Sequence, residues 1–316
     1  MTDDQLAHTI DKYFKFLKTD NMNPVTLYLE SLAPSGRRSM RSLLKISANI
    51  FEFEGDLEQM PWPLLQYHHI AQIRSTLQGN RKSANTINLT LSACRGVMKA
   101  CFNLGLIKAD QLMSINEVKR VRGKKLPSGR CLSKKETKAL ITVCKRDKSI
   151  SGKRDLAMIV LMLATGLRRS EVVALNMGDY NTRNGELIVM AGKGNKQRVV
   201  FIQTEPRRLI KLWLDSRGRE LGALFQPINN QKSINRHMTS QSLYDLLKKR
   251  SIEASIDKCS PHDLRRTFVT RLLESGIDIN TVRQLAGHSD IQTTARYDLR
   301  DEKEQRKALK SMFFSL

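Results

Sequence analysis

The chain has 316 residues, of which 40% are apolar, enough to bury two domain cores and too many for a disordered tail. Its 54 Lys and Arg outnumber 31 Asp and Glu, and the resulting charge of +23 points to a polyanionic partner, DNA or RNA, because each cation set at a phosphate releases condensed counterions. Five cysteines (Cys94, Cys101, Cys131, Cys144 and Cys259) are an odd set without a C-x-x-C pair, which argues against a disulfide framework or a zinc site.

The first residues, Met1-Thr2-Asp3-Asp4, are acidic and lack a signal-peptide pattern, and the longest apolar run, residues 156–164, falls well short of the roughly 20 residues that span a bilayer. The expectation is a cytoplasmic protein with no membrane partner. Residues 39–53 carry Leu43, Leu44, Ile46, Ile50 and Phe51 at three-to-four spacing, which predicts a helix. Ser83 is placed to cap a second helix running to about Asn103, with Gly105 as its stop. Cys94 and Cys101 lie seven apart on that helix and read as small buried residues. Basic residues interleave with the apolar ones at Arg37, Arg38, Arg41 and Lys45, and again at Arg81, Lys82, Arg95 and Lys99. Residues 1–118 are thus expected to form an all-helical bundle with a basic face, either merely solvated or in contact with DNA.

Residues 119–132 are basic, carry Gly and Pro and show no periodicity, so they read as a linker. With Lys124 and Lys125 at its centre, it either follows a phosphate backbone or is a solvated connector. Residues 133–316 are the second expected domain. Ser133 and Glu136 make a capping box for a helix that reaches Cys144, and a buried helix is expected from about Asp155 to Thr165, stopped by Gly166. Residues 187–190 and 198–202 read as two short strands about a Gly192-Lys193-Gly194-Asn195-Lys196 turn, with helix from there to the end. The fold class is mainly α with a small β-sheet.

Several residues bear on chemistry, and each has an ordinary reading beside the functional one. Arg168 and Glu171 are three apart at a helix start, either a surface pair or a guanidinium held rigid for two phosphate oxygens. Ser260-Pro261 looks like a cap followed by Pro at the first helical position, which puts His262 and Arg265 in the positively polarised first turns. An anion is favoured there, and an imidazole beside it can move a proton; a capping or packing histidine is the alternative. Lys193, between two glycines, suits a phosphate contact or a proton donor to a leaving oxygen, while the spacing of a P-loop is missing. No H-E-x-x-H, G-x-S-x-G or acidic cluster points to a metal-dependent nuclease. His288 follows Gly287, just past a helix expected to end there, and Tyr297 comes nine residues later; each alone says little.

In order and spacing, Arg168, Lys193, His262, Arg265, His288 and Tyr297 resemble the signature of the tyrosine recombinase (phage integrase, Xer-like) family. Surrounding strings match as well: Thr165-Gly166-Leu167-Arg168, Gly192-Lys193-Gly194-Asn195-Lys196, Pro261-His262, Leu264-Arg265 and Gly287-His288. No catalytic position departs from the signature; Arg266, after Arg265, falls where the family often has His or another residue and is given no role. The resemblance covers residues 133–300 strongly and the N-terminal part more weakly. It implies a core-binding (SAM-like) helical domain at 1–118 and a mixed α/β catalytic domain at 133–316.

That resemblance also implies the chemistry. Arg168 and Arg265 would clamp the scissile phosphate and His288 would add a hydrogen bond, a charge-stabilising set that stands in for a metal. Tyr297 would attack phosphorus to give a 3′-phosphotyrosine, Lys193 would protonate the departing 5′-oxygen, His262 would assist as base, and Glu171 would support Arg168. No cofactor, ATP or metal is implied, and the implied partner is a double-stranded core site in nucleoid DNA. A monomer or dimer before synapsis, then a homo-tetramer on two duplexes, is the expected assembly. The expected outcome is DNA integration, excision or resolution, such as that of a mobile element, and the N-terminal part leaves no room for an additional arm-binding domain. Leu309, Met312, Phe313 and Leu316 form an apolar stripe expected to dock on a neighbouring protomer or on its own domain. A type IB topoisomerase and a DNA-binding protein that no longer cleaves are the competing readings.

Overall fold

The structure is a computed structural model, and it describes residues 23–123, 129–190 and 197–297. The chain divides into two compact units, Met1–Leu126 and Pro127–Leu316.

The described part of the first unit contains five α-helices, α1 (Pro24–Glu30), α2 (Pro34–Ile50), α3 (Tyr67–Gly79), α4 (Ala84–Asn103) and α5 (Ala109–Asn116), and a short 3-10 turn at Trp62–Leu64. Helix α2 starts five residues before the apolar pattern because Pro34, with its fixed φ and missing N–H, suits the first helical position. Ser83 caps α4 as expected, its hydroxyl accepting from the Thr86 N–H. The core gathers Trp62, Leu44, Ile70, Ile73, Leu91 and Met98, and Cys94 and Cys101 are buried within it.

Both ends of the expected linker are anchored. The Asn88 side chain exchanges two hydrogen bonds with the Val121 backbone, and Arg95 donates to the Val118 carbonyl. At the other end the Leu132 N–H donates to Thr267 Oγ1, and Leu132 is buried in the second core. Lys124 and Lys125 lie outside the described residues.

In the second unit, α6 (Lys134–Arg146) and α7 (Ile150–Thr165) pack together, and α9 (Thr204–Arg217) lies along α7. The capping box of Ser133 and Glu136 forms as read from the sequence. Helix α7 begins five residues earlier than expected, because Ser149 caps it and its first turn is too polar to show in the apolar pattern. Between them run α8 (Arg169–Ala174) and an antiparallel hairpin of β1 (Glu186–Met190) and β2 (Gln197–Phe201), with Val189 opposite Arg198. The helix expected from there to the end is interrupted by a second hairpin, β3 (Ile228–Asn229) and β4 (Lys232–Ser233). Asn230 and Gln231 both take positive φ at its turn, so local turn geometry overrides helical periodicity. Helices α10 (Ser240–Glu253), α11 (Pro261–Glu274), α12 (Ile279–Ala286) and α13 (Ile291–Ala295) complete the described unit. The main core centres on Trp213, Phe225, Leu161 and Leu247, and a smaller one joins Val269, Leu273, Val282, Ala286 and Tyr297.

Two buried charged side chains stiffen this unit, one through ion pairs and one through backbone N–H groups. Arg250 is bonded to Asp147, Asp155 and Glu253, which spares a buried cation the cost of standing unpaired. Asp263 accepts from the Ser260 and Arg130 N–H groups, tying the start of α11 to the segment that enters the unit.

Candidate active site

Helix α7 ends at Gly166, whose left-handed φ of +63° lets the chain reverse where a Cβ would strike the Phe268 ring at 2.2 Å. Its carbonyl accepts from Arg265 Nη1 at 2.7 Å. Two residues on, Arg168 takes the N-cap position of α8. Its backbone N–H and its Nη1 both donate to the Glu171 carboxylate, and its Nη2 donates to the Gly287 carbonyl at 2.8 Å. The guanidinium is therefore held at both arms. The expected pairing of Arg168 with Glu171 is present, at 2.9 Å.

On α11, Ser260 and Pro261 take the predicted cap and first-turn positions. Arg265 is 4% exposed, and its Nη2 is buried with no hydrogen-bond partner. Burial lowers the Arg265 pKa to about 10, with Arg168 pushing the same way, and leaves it charged at neutral pH. His262 faces Tyr297: Nε2 and the Tyr297 hydroxyl lie 3.2 Å apart. Burial lowers the His262 pKa below the ordinary 6.5; Asp263 opposes this, while Arg265 and Arg266 add to it.

Helix α12 ends on Gly287 at φ +67°, which sends His288 back toward α13. His288 Nδ1 lies 2.8 Å from Thr294 Oγ1, and its ring stacks on Tyr297 at 6.0 Å between centroids. Burial and then the Arg265 and Arg168 charges push the His288 pKa down to about 4, so the ring is neutral at physiological pH. Tyr297 is 6% exposed and its backbone N–H donates to the Thr294 carbonyl. Arg168, His262, Arg265, His288 and Tyr297 together line one cleft of about 550 Å³. It offers paired guanidinium donors for an anion beside a hydroxyl within reach of a neutral base. Lys193 lies outside the described residues.

Sequence reasoning missed three neighbours of the site. The Arg266 guanidinium sits 5.3 Å from the centre of the Tyr297 ring, a cation–π arrangement. Thr294 holds His288. Arg198 makes a two-pronged ion pair with Glu171, at 3.0 and 2.8 Å. A signal for Arg198 exists: strand alternation puts it on the same face as buried Val200, and a cation on that face needs a buried carboxylate.

The basic residues of the first unit divide in two. Arg41 is bonded through both terminal nitrogens to Glu58, Arg37 donates to the Leu32 and Glu30 carbonyls, and Arg95 donates to the Asn116 and Val118 carbonyls. Arg38, Arg81, Lys82 and Lys99 are exposed.

Residues 130–304 match the phage integrase family. Tyrosine recombinase XerC of Alcanivorax borkumensis is 28% identical over 284 residues, 88% of this chain and 89% of that one. Tyrosine recombinase XerA of Pyrococcus furiosus is 32% identical over 70% of this chain and 72% of its own length. Among solved structures, a lambda integrase dimer bound to a COC′ core site superposes with a TM-score of 0.64 at 14% identity over 98% of each chain. The XerH recombinase in a post-cleavage complex with palindromic difH superposes at 0.59 and 22% identity, over 78% of this chain and 72% of that one. The chain belongs to the phage integrase family of tyrosine recombinases, enzymes that break and rejoin DNA strands at specific sites.

Proposed function

We propose that Tyr297 is the nucleophile of this site-specific recombinase and that the described site is its cleavage centre. The observation that carries this is the 3.2 Å approach of the Tyr297 hydroxyl to His262 Nε2, in a cleft shared with Arg168 and Arg265. His262 takes the phenolic proton as Tyr297 attacks phosphorus, and the bond from phosphorus to the 5′-oxygen breaks. The departing oxygen takes a proton from Lys193, a role that rests on family resemblance. The products are a 3′-phosphotyrosine and a free 5′-hydroxyl, and reversal by a 5′-hydroxyl from a second duplex exchanges strands. The phosphoester bond is conserved, so the cycle consumes no ATP. Arg168, Arg265 and His288 stabilise the charge that builds on the non-bridging oxygens.

Recombinase structures of the same fold that are bound to a difH substrate and to a COC′ core site support duplex DNA as partner. In this reading residues 1–118 are the core-binding domain, 133–316 the catalytic domain and 119–132 the basic linker, and the protein acts on a duplex in the nucleoid. Monomers or dimers bind first, and four protomers then hold two duplexes; the trans docking expected of Leu309, Met312, Phe313 and Leu316 falls on residues outside those the structure describes.

Duplexes selected by binding from a random-sequence pool supply the core site, and nicked versions of them serve as suicide substrates. Wild type should trap a covalent complex and Tyr297→Phe none. No trapped complex with wild type would sink the reading in favour of a non-cleaving DNA-binding protein. A plasmid with two selected sites should be resolved; relaxation without resolution would point to a topoisomerase. Removal of residues 305–316 should impair synapsis while leaving single-site binding intact.

A further inference from the structure

Glu171 is a buried carboxylate, 7% exposed, placed directly behind a guanidinium that must attract a phosphate. A pair made of Arg168 and Glu171 alone has no net charge. The carboxylate that orients Arg168 is itself shielded from water, although Arg168 is exposed, and would then cancel part of the guanidinium's pull on an anion. Arg198 changes that balance. Its two terminal nitrogens bond the two oxygens of Glu171, and its side chain is largely buried. Burial alone would raise the Glu171 pKa, but the hydrogen bonds from Arg198 and Arg168 outweigh it and keep the group ionised. The trio of Arg168, Glu171 and Arg198 carries a net positive charge.

Arg198 also packs against the turn before His288. A Cβ on Gly287 would lie 2.7 Å from both Arg198 Cζ and Nη1, so the guanidinium occupies the space beside that glycine that a side chain would need. The carbonyl of the same glycine holds the second arm of Arg168. Arg198 thus meets both anchors of Arg168 while making no hydrogen bond to Arg168 itself.

We propose that Arg198 is a positioning residue for phosphate capture: it neutralises Glu171 so that this carboxylate orients Arg168 without cancelling its charge, and it braces the Gly287 turn that holds the other arm. The proposal rests on the cleavage chemistry above and assigns a duty to a residue outside the six-residue signature.

Single-turnover cleavage of the selected, nicked duplex tests it with the full chain, alongside affinity for the intact duplex and thermal melting. Arg198→Gln keeps a donor and removes the charge; it should slow cleavage roughly 30-fold while affinity changes less than about threefold. Arg198→Lys should recover to within about fivefold of wild type. Adding Glu171→Gln to Arg198→Gln removes the stranded carboxylate charge and should restore at least about tenfold of the lost rate, a gain that a merely structural role would not give. Cleavage by Arg198→Gln within about threefold of wild type, a lysine variant as slow as the glutamine one, or no restoration in the double variant would each overturn the proposal. If Arg198→Gln does not melt cooperatively, Glu171→Gln and the double variant carry the comparison: they should cleave within about tenfold of each other, and a wider gap overturns it. Wild type that traps no complex would refute the recombinase reading itself, and this assignment with it. Wild type that traps one alongside failing Arg198 variants refutes this assignment alone.

Discussion

His262 Nε2 and the Tyr297 hydroxyl are 3.2 Å apart, and both side chains come from the same chain. Burial lowers the His262 pKa below 6.5, against Asp263 and with Arg265 and Arg266, so the imidazole is neutral and able to accept a proton at pH 7. Cleavage should therefore hold steady through neutral pH and fall only as the pH drops below 6.5 through that lowered value. His262→Gln should reduce single-turnover cleavage by about 10²–10⁴ and remove this acid limb. A variant that keeps the limb would place the base elsewhere.

His288 makes stability depend on pH. Its folded pKa is about 4, because burial and the charges of Arg265 and Arg168 disfavour the imidazolium; unfolded, it returns to the ordinary 6.5. Between those values the unfolded chain binds a proton that the folded chain does not, so this contribution is complete above about pH 6.5 and is lost as the pH falls toward 4. The full effect is about 3 kcal/mol by linkage. Urea unfolding of wild type and His288→Gln at pH 7 and pH 4.5 checks it. The variant should lose distinctly less stability over that interval, and equal losses would mean that His288 is already protonated in the fold.

What could be read from the sequence was what is local. Ser133 with Glu136, Ser260 with Pro261, and Gly166 and Gly287 as helix stops are decided within a turn of chain, and all form. The five described signature residues meet in one cleft because they sit at such ends: Arg168 caps α8, His262 and Arg265 lie in the first turns of α11, His288 follows α12, and Tyr297 follows α13. What stayed hidden is decided by distant partners. Strand alternation puts Arg198 on the face of buried Val200, but its partner Glu171, 27 residues earlier, is not legible until α8 brings it there. Likewise Arg41, a candidate for DNA contact by position, is bonded to Glu58, a partner 17 residues away that periodicity does not reveal.

Gly287 joins two requirements at one position, a left-handed φ of +67° and contact with Arg198. Gly287→Ala should cost about 1–2 kcal/mol for the backbone conformation alone, and the added methyl must also displace the Arg198 guanidinium. Because the Gly287 carbonyl holds Arg168, cleavage should suffer beyond what stability does, by roughly 10–100-fold with the protein still folded at assay temperature. Melting curves and suicide-substrate kinetics on the same preparation separate the two effects. A variant that loses stability yet cleaves at the wild-type rate would show that Arg168 does not depend on this anchor.

Basic residues of the first unit should separate by what already holds them. Arg38, Arg81, Lys82 and Lys99 are exposed and form no ion pair among the described residues, so they are available to phosphates. Replacing any one that contacts DNA with Ala should weaken binding evenly across sequences and reduce the salt slope of log affinity by about one. Arg37 and Arg95 already donate to backbone carbonyls, and Arg41 holds Glu58. Arg95→Ala leaves the partly buried Val118 carbonyl without its donor and should cost about 1–3 kcal/mol of stability, whereas the exposed Arg41 pair should cost less than about 1 kcal/mol. Affinity measured at several salt concentrations, with unfolding measured in parallel, tests the division. Equal salt-slope losses for Arg38→Ala and Arg41→Ala would mean that Arg41 gives up Glu58 for a phosphate, since an exposed ion pair is too weak to prevent that exchange.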